Sequence, residues 1–511
     1  MNVADLLRRT AALYPHRPAV LLGEHVVHSY AQLAQRAAAL AGFLLDRLKL
    51  DAGARIAVWM PNRIEYLEIQ YACWFAGMTV VPVNFKLHPR ELGYILQDSG
   101  ASALFMHRDH AHGLEPALAG AASLPVLDVA GPAYAQACAS APATARPAAD
   151  TAWLFYTSGT TGNPKGVMQT HRNLYAMTLA YLADVDPVHA DDATLYAAPM
   201  SHGAGMYQFA HTLAGARHVV PESSGFDEAE ILDLAARQGP LSLFAAPTMV
   251  RRLTRHAHSR RLCGAGLKTI VYGGGPMYVE DLHEAIDVFG QRFVQIYGQG
   301  ECPMGISVLP RKVIADTGHP AHAARIASVG VAQTGMAIRI DSDDPAHAPG
   351  EVLARGDTVM AGYWRNPEAT RATLQDGWLR TGDVGVLDGD GFLTLKDRAK
   401  DVIISGGSNI YPREVEEVLL RHPAVAEVSV LGSPDPEWGE RVVACLVPAA
   451  GERPSRRQLD QLCRDHVASF KRPKAYYVLP ELPKNHYGKV LKTDLRQRLD
   501  ALAATAGCEL E

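Results

Sequence analysis

Tyr156-Thr157-Ser158-Gly159-Thr160-Thr161-Gly162-Asn163-Pro164-Lys165-Gly166 directly follows the apolar run Trp153-Leu154-Phe155. Its glycines let the backbone curl so that successive N–H groups point inward. The hydroxyls of Thr157, Ser158, Thr160 and Thr161 add donors, and Lys165 adds a positive charge. That combination suits a polyphosphate. It is not a Walker A loop, because G-x-x-x-x-G-K-[ST] does not fit. Taken alone, the segment also reads as a polar glycine-rich hairpin.

Outward from this segment, short apolar runs such as Ile56 to Met60 and Thr79 to Val83 alternate with helical patterns over Arg36–Leu45 and Ile64–Phe75. Such alternation predicts α/β layers with parallel sheets. The tract from Ala141 to Ala149, rich in Ala and Pro, reads as a solvated connector or a plain loop. Beyond about residue 400 the pattern changes. Val402-Ile403-Ile404 reads as a strand, and Pro412 opens a helix whose apolar face is Val415, Val418 and Leu419. Strands over Glu427–Leu431 and Arg441–Val447 and a helix over Arg457–Val467 complete a small α+β domain.

With 511 residues the chain exceeds one core, which stops growing at about 250–300 residues, so at least two domains are expected. Hydrophobic content of 48% with 20% charged residues describes a globular protein. A net charge of −5 argues against a broad basic surface for nucleic acid, while leaving room for a basic pocket. The seven cysteines show no CxxC pair and suit reduced thiols in the cytoplasm. Charges at Asp5, Arg8 and Arg9 do not read as a secretory signal. The apolar run from Ala37 to Leu45 is far short of the ~20 residues of a membrane span.

The glycine-rich segment resembles the phosphate loop of the adenylate-forming superfamily, which includes acyl-CoA synthetases, peptide-synthetase adenylation domains and beetle luciferases. Further segments match in the family's order up to Lys489. The resemblance implies a large N-terminal domain, 1–398, of two α/β layers and a distorted β-barrel, with a small mobile α+β lid, 399–511. It implies that Thr157, Ser158, Gly159, Thr160, Thr161, Gly162 and Lys165 hold ATP phosphates. In Tyr272-Gly273-Gly274-Gly275-Pro276, the run Gly273–Pro276 would pass close to adenine. In Gln295-Ile296-Tyr297-Gly298-Gln299-Gly300-Glu301, the segment Tyr297–Gly300 would complete the nucleotide site, with Tyr297 on the adenine face and Glu301 holding Mg²⁺. The family commonly has Thr at the place of Gly300, so one phosphate contact is in doubt.

By the same resemblance, Asp383 in Gly377-Trp378-Leu379-Arg380-Thr381-Gly382-Asp383 and Arg398 reach the ribose, and Lys400 is the hinge. Lys489, after Leu482-Pro483-Lys484-Asn485-His486-Tyr487-Gly488, matches the catalytic lysine; Lys484 and Lys492 are assigned to surface solvation. The acyl pocket is expected along Pro199–Met206, with His202, Gly203 and Phe244 lining it. No Asp or Glu lies between Pro199 and Ala210 to pair with an ammonium, which disfavours amino-acid substrates. Gly406, Gly407, Trp438, Phe470, Arg472 and Lys86 are the expected CoA contacts. The implied activity is ATP-dependent carboxylic acid–CoA ligation through an acyl-adenylate, with ATP, Mg²⁺ and coenzyme A. A carrier-protein loading enzyme and a non-catalytic nucleotide-binding relative are the alternatives. The expected partners are small molecules, with no nucleic acid and no integral membrane segment; a homodimer is allowed.

Overall fold

The computed structural model describes residues 1–110, 114–120, 123–157, 164–344, 348–405, 408–484, 490–504 and 509–510. Ser158 to Gly162, Gly406, Gly407 and Lys489, all expected site residues, lie outside the described residues. The chain divides into two compact units. One comprises Met1–Ile338 and Ala354–Arg380; the other comprises Arg339–Leu353 and Thr381–Glu511.

The first unit holds two large sheets. In the seven-stranded sheet the order is Gly362–Tyr363, Lys165–Thr170, Thr151–Thr157, Thr79–Val83, Arg55–Trp59, Ala101–Met106 and Val126–Asp128. The strands from Thr151–Thr157 onward pair in parallel, and only the first two are antiparallel. The glycine-rich segment therefore does link a hairpin, in which Thr157 pairs with Lys165. In the nine-stranded sheet, the central strands, among them Ala193–Leu195, Leu241–Ala245, Leu267–Tyr272 and Phe293–Gln299, pair in parallel. The strand Cys302–Leu309 returns antiparallel along Phe293–Gln299.

The expected strand Thr79–Val83 is found with the same limits and is buried throughout. The helix Glu65–Phe75 has ten of its eleven residues buried, so it is enclosed on all sides rather than along one stripe. Its Glu68 is nevertheless fully buried. The carboxylate accepts from Arg36 Nε and Nη2 at 2.8 and 3.0 Å and from Tyr134 at 2.6 Å, and lies 2.7 Å from His28 Nε2. Burial alone would raise its pKa, but these partners lower it to about 2. The helix expected over Arg36–Leu45 starts earlier, as Tyr30–Gly42, because Ser29 and Gln32 form a capping box that the apolar pattern does not register.

The tract at 141–149 is a loop, but its backbone is not simply solvated. Ala143 N donates to Ala38 O and Arg146 N to Phe75 O, both at 2.9 Å. A Cβ on Gly42 would lie 2.0 Å from Ala141 O, so that glycine is where the loop packs against a helix.

A third sheet has five strands between Met336 and Arg398. The fourth lies in the second unit: Ser408–Ile410, Ile403–Ser405, Gly439–Pro448 and Val425–Asp435, with Ala475–Val478 parallel to Gly439–Pro448. Pro412 opens the helix Pro412–Leu419, which buries Val415, Val418 and Leu419 against this sheet as its spacing predicts. No helix among the described residues is long and apolar enough to cross a membrane. The six described cysteines are free thiols.

Candidate functional site

Lys165 opens its strand directly opposite Thr157, so hydrogen-bonded pairing alone sets both at the mouth of the glycine-rich segment. Lys165 Nζ stands 5.1 Å from the centre of the Tyr363 ring, within cation–π range. The Tyr363 hydroxyl donates to Glu301 Oε1 at 2.6 Å. Burial and the adjacent Glu301 carboxylate both push the Tyr363 pKa up, which keeps the phenol protonated as the donor. Tyr363 is held in place by the antiparallel pairing of Gly362–Tyr363 with Met168 and Val167, and Trp364 N adds a bond to Gly166 O at 2.7 Å. Sequence reasoning missed Tyr363. The available signal was its position in the turn-bearing segment Gly362-Tyr363-Trp364-Arg365-Asn366-Pro367.

Gly300 ends the expected nucleotide segment Tyr297–Gly300, and its carbonyl accepts from the buried Gln169 Nε2 at 2.8 Å. A Cβ there would meet Thr157 Cγ2 at 2.2 Å and the Phe155 ring at 3.1 Å. Gly300 has no left-handed φ, so the glycine answers to side-chain crowding rather than to backbone conformation. Tyr297 is buried, at 8% exposure, on the strand Phe293–Gln299 that Gly300 follows. Gly298 faces the backbone of Cys302 and Met304 too closely for any Cβ, at 2.8 and 2.6 Å. Gly274 differs: it has φ +80° and no atom within 4 Å of its would-be Cβ, so its backbone is open to a close approach.

Among the expected acyl-pocket residues, the His202 ring meets the Phe155 ring edge-on at 4.6 Å. Burial lowers the His202 pKa to about 4, so the imidazole is neutral near pH 7. A Cβ on Gly203 would lie 2.7 Å from Met304 Sδ. Met304 itself has φ +60°, unusual for a non-glycine residue and a local strain that the surrounding strands must hold. Phe244 stands edge-on to Tyr207 at 6.0 Å. Lys86 is exposed, with its Nζ 5.7 Å from the Phe85 ring centre.

In the second unit, strand register brings Asp383 opposite Arg398, and Arg398 Nε bridges Asp383 Oδ1 at 2.7 Å. The two expected ribose residues thus share one ladder position. Lys400 is exposed in the short turn Ala399–Asp401. Trp438 and Phe470 are large exposed apolar side chains, at 53% and 45% exposure. Trp438 precedes Gly439, which pairs with Ser405, the last described residue before Gly406. Arg472 is engaged with Asp460 at 3.6 Å.

Lys492 is not the surface lysine expected. It bridges Glu416 at 3.1 Å and Asp397 at 3.9 Å, with only 17% of its side chain exposed. Burial would lower its pKa, but Glu416, Asp397 and Asp401 raise it, so it stays charged. Lys484 is paired with Glu427 at 2.6 Å.

The AMP-binding enzyme family profile matches residues 7–364, and that of the AMP-binding enzyme C-terminal domain matches 414–489. The chain is 37% identical to a feruloyl-CoA synthase of Amycolatopsis sp, over 96% of this chain and 97% of that one. It is 34% identical to the fatty acid–acyl-carrier-protein ligase ScoC of Streptomyces coeruleorubidus, over 95% and 94%. The solved o-succinylbenzoate CoA synthetase of Bacillus subtilis, in complex with its acyl-adenylate intermediate, superposes with a TM-score of 0.83. It shares 31% identity over 96% of this chain and 97% of that chain. With this architecture and these matches, the chain belongs to the AMP-binding enzyme family, in its acyl-CoA synthetase branch.

Proposed function

We propose that this protein is an AMP-forming carboxylic acid–CoA ligase. In the first half-reaction a carboxylate oxygen attacks the α-phosphorus of ATP, the bond to the β-phosphate breaks, and pyrophosphate leaves. In the second, the CoA thiol attacks the acyl carbonyl, loses its proton and displaces AMP. The observation that carries this reading is the convergence of Lys165, Tyr363 and Glu301 at the mouth of the glycine-rich segment. A cation opposite Thr157 suits phosphate oxygens, and a carboxylate fixed by a phenol is a hard oxygen ligand suited to Mg²⁺. The ion, when bound, would neutralise phosphate charge; Glu301 would hold it, with Tyr363 as the positioning residue.

Asp383 and Arg398 are assigned to the ribose, Tyr297 and the Gly273–Pro276 run to adenine. Lys489 is assigned to the charge that develops at the α-phosphate. His202, Gly203 and Phe244 line the acyl pocket; Gly406, Gly407, Trp438, Phe470, Arg472 and Lys86 serve CoA. Domain limits at 1–398 and 399–511, a hinge at Lys400, a cytoplasmic location and an optional homodimer belong to the same proposal. The test is acid-dependent pyrophosphate release followed by thioester formation with free CoA, across aromatic, short, medium and long acids. A chain that released no pyrophosphate with any acid would be a non-catalytic relative. The likeness to ScoC favours one second reading, transfer to a carrier-protein phosphopantetheine. Turnover with free CoA and no carrier separates the two.

A further inference from the structure

The backbone from Tyr196 to His202 belongs to no strand or helix, yet it is mostly buried and leads into the expected acyl-pocket residues His202 and Gly203. Buried backbone needs hydrogen-bond partners, and here one side chain from the other large sheet supplies them. Asn62 follows the strand Arg55–Trp59 of the seven-stranded sheet, whereas Tyr196 follows Ala193–Leu195 of the nine-stranded one. Asn62 Nδ2 donates to Tyr196 O at 2.7 Å and to Ala198 O at 2.8 Å, and Met200 N donates to Asn62 Oδ1 at 2.7 Å. Asn62 is only 4% exposed.

The two carbonyls only accept and the Met200 N–H only donates, so the amide has one orientation and both of its N–H groups are used. Residues 196, 198 and 200 alternate toward Asn62 with the period of an extended chain, so this side chain stands in for a neighbouring strand. Beyond Met200 the chain turns. His202 N donates to Pro199 O at 3.0 Å and Gly205 N to His202 O at 2.9 Å, while a Cβ on Gly205 would lie 1.9 Å from Met200 O. Contacts this close carry any shift of Met200 on to His202 and Gly203. The His202 ring meets Phe155 at 4.6 Å, and the same Phe155 ring lies 3.1 Å from the would-be Cβ of Gly300. One ring thus separates the expected acyl segment from the expected nucleotide segment. In the acid-ligase reading the carboxylate must reach the α-phosphate at this junction.

We propose that Asn62 is a positioning residue for the acid: by holding Tyr196, Ala198 and Met200 it sets where His202 and Gly203 stand against Phe155. The proposal rests on the acid-ligase reading and adds to it a residue outside the sequence motifs. The hydrogen bonds of Asn62 go to this one stretch of backbone, so its removal acts on acid placement rather than on ATP.

The test is Asn62→Asp, which keeps the size of the side chain and the bond from Met200 but removes both donors. Acid-dependent pyrophosphate release should show a raised KM for the acid, with kcat/KM for the preferred acid falling about 10- to 100-fold, as misplacement of a substrate does. KM for ATP should stay within about threefold, and the ratio of kcat/KM between the preferred and the poorest acid should shrink about tenfold. Asn173→Asp is the control. Asn173 is also buried and donates two bonds to a different stretch of backbone, to Asp357 O at 2.7 Å and Val359 O at 2.8 Å. That variant should lose thermal stability in the same way while keeping the parental ratio between acids. Where Asn62→Asp melts too low to assay, Asn62→Ser makes the same comparison without a charge beside the two carbonyls. Equal loss for every acid and for ATP, or the same pattern from Asn173→Asp, would overturn the proposal and leave Asn62 a packing residue. A parent that released no pyrophosphate with any acid would instead remove the ligase reading itself.

Discussion

Tyr363 donates to Glu301 across 62 residues of sequence, at 2.6 Å, and the same ring carries Lys165 over its face. One side chain therefore orients the proposed metal ligand and packs against the proposed phosphate cation. Tyr363→Phe keeps the ring beneath Lys165 and removes only the bond to the carboxylate. Its apparent KM for Mg–ATP should rise, with kcat/KM falling about tenfold, roughly 1.4 kcal/mol of barrier. Added Mg²⁺ should recover part of that loss. Titrating Mg²⁺ in the pyrophosphate assay checks this; a variant with parental Mg²⁺ dependence would remove Tyr363 from the site.

Gly300 stands where the family commonly has threonine, and any side chain there meets a steric obstacle. Its Cβ would lie 2.2 Å from Thr157 Cγ2, with Phe155 at 3.1 Å on another side. Gly300→Ala should raise KM for ATP. Thr157→Ser deletes the offending methyl and keeps the hydroxyl, so Thr157→Ser with Gly300→Ala should be less impaired than the sum of the single changes. A double-mutant cycle measures this coupling, which should reach about 0.5–3 kcal/mol between touching residues. Simple additivity would show that the two side chains do not compete for space.

Lys489 acts, in the proposed scheme, on charge at the α-phosphate. Lys489→Ala should abolish pyrophosphate release yet still convert supplied acyl-adenylate and CoA to thioester. Equal loss of both half-reactions would refute the assignment.

Lys400 sits between two carboxylates held by one helix. Lys492 bridges Asp397 at 3.9 Å and Arg496 bridges Asp401 at 2.8 Å, so rotation at residue 400 must strain or part at least one of these pairs. Proline at 400 would hold φ near −65° and restrict Ala399. Lys400→Pro should keep adenylation within about tenfold while thioester formation falls much further. A variant with an unchanged thermal melt and a parental rate of acyl-CoA formation would exclude Lys400 as the hinge.

Acid should destabilise the fold first through buried histidines. Fully buried His218 lies 2.8 Å from the Tyr196 hydroxyl and 3.1 Å from Thr212, and burial lowers its pKa to about 3. His171 is lowered to about 4. Below about pH 6.5 the unfolded chain binds protons that these rings refuse when folded, so stability falls as pH drops toward 4. Glu68, lowered to about 2, contributes in the other window: its stabilisation is present above about pH 4.5 and is lost toward pH 2. His218→Gln should therefore flatten the dependence of melting temperature on pH between 6.5 and 4, whatever its absolute stability. An unchanged slope would contradict this account.

Local chemistry is legible in sequence because it is written by neighbours. Alternating apolar runs determined the α/β layering, Pro412 its helix start, and the spacing of Val415, Val418 and Leu419 the buried face. The ordered motifs, from the glycine-rich segment at 156–166 onward, identified the family, since each is a contiguous turn or loop with its own backbone demands. What only the tertiary structure decided depends on residues far apart in the chain. Tyr363 reaches Glu301 and Lys165 through an edge strand of two residues, too short to leave a periodic pattern. Lys492 looks like a solvated lysine until Glu416 and Asp397 close around it. Burial is a property of the packed whole, and it sets the strength of a charge pair, the cost of an unmet donor and the space left for a Cβ.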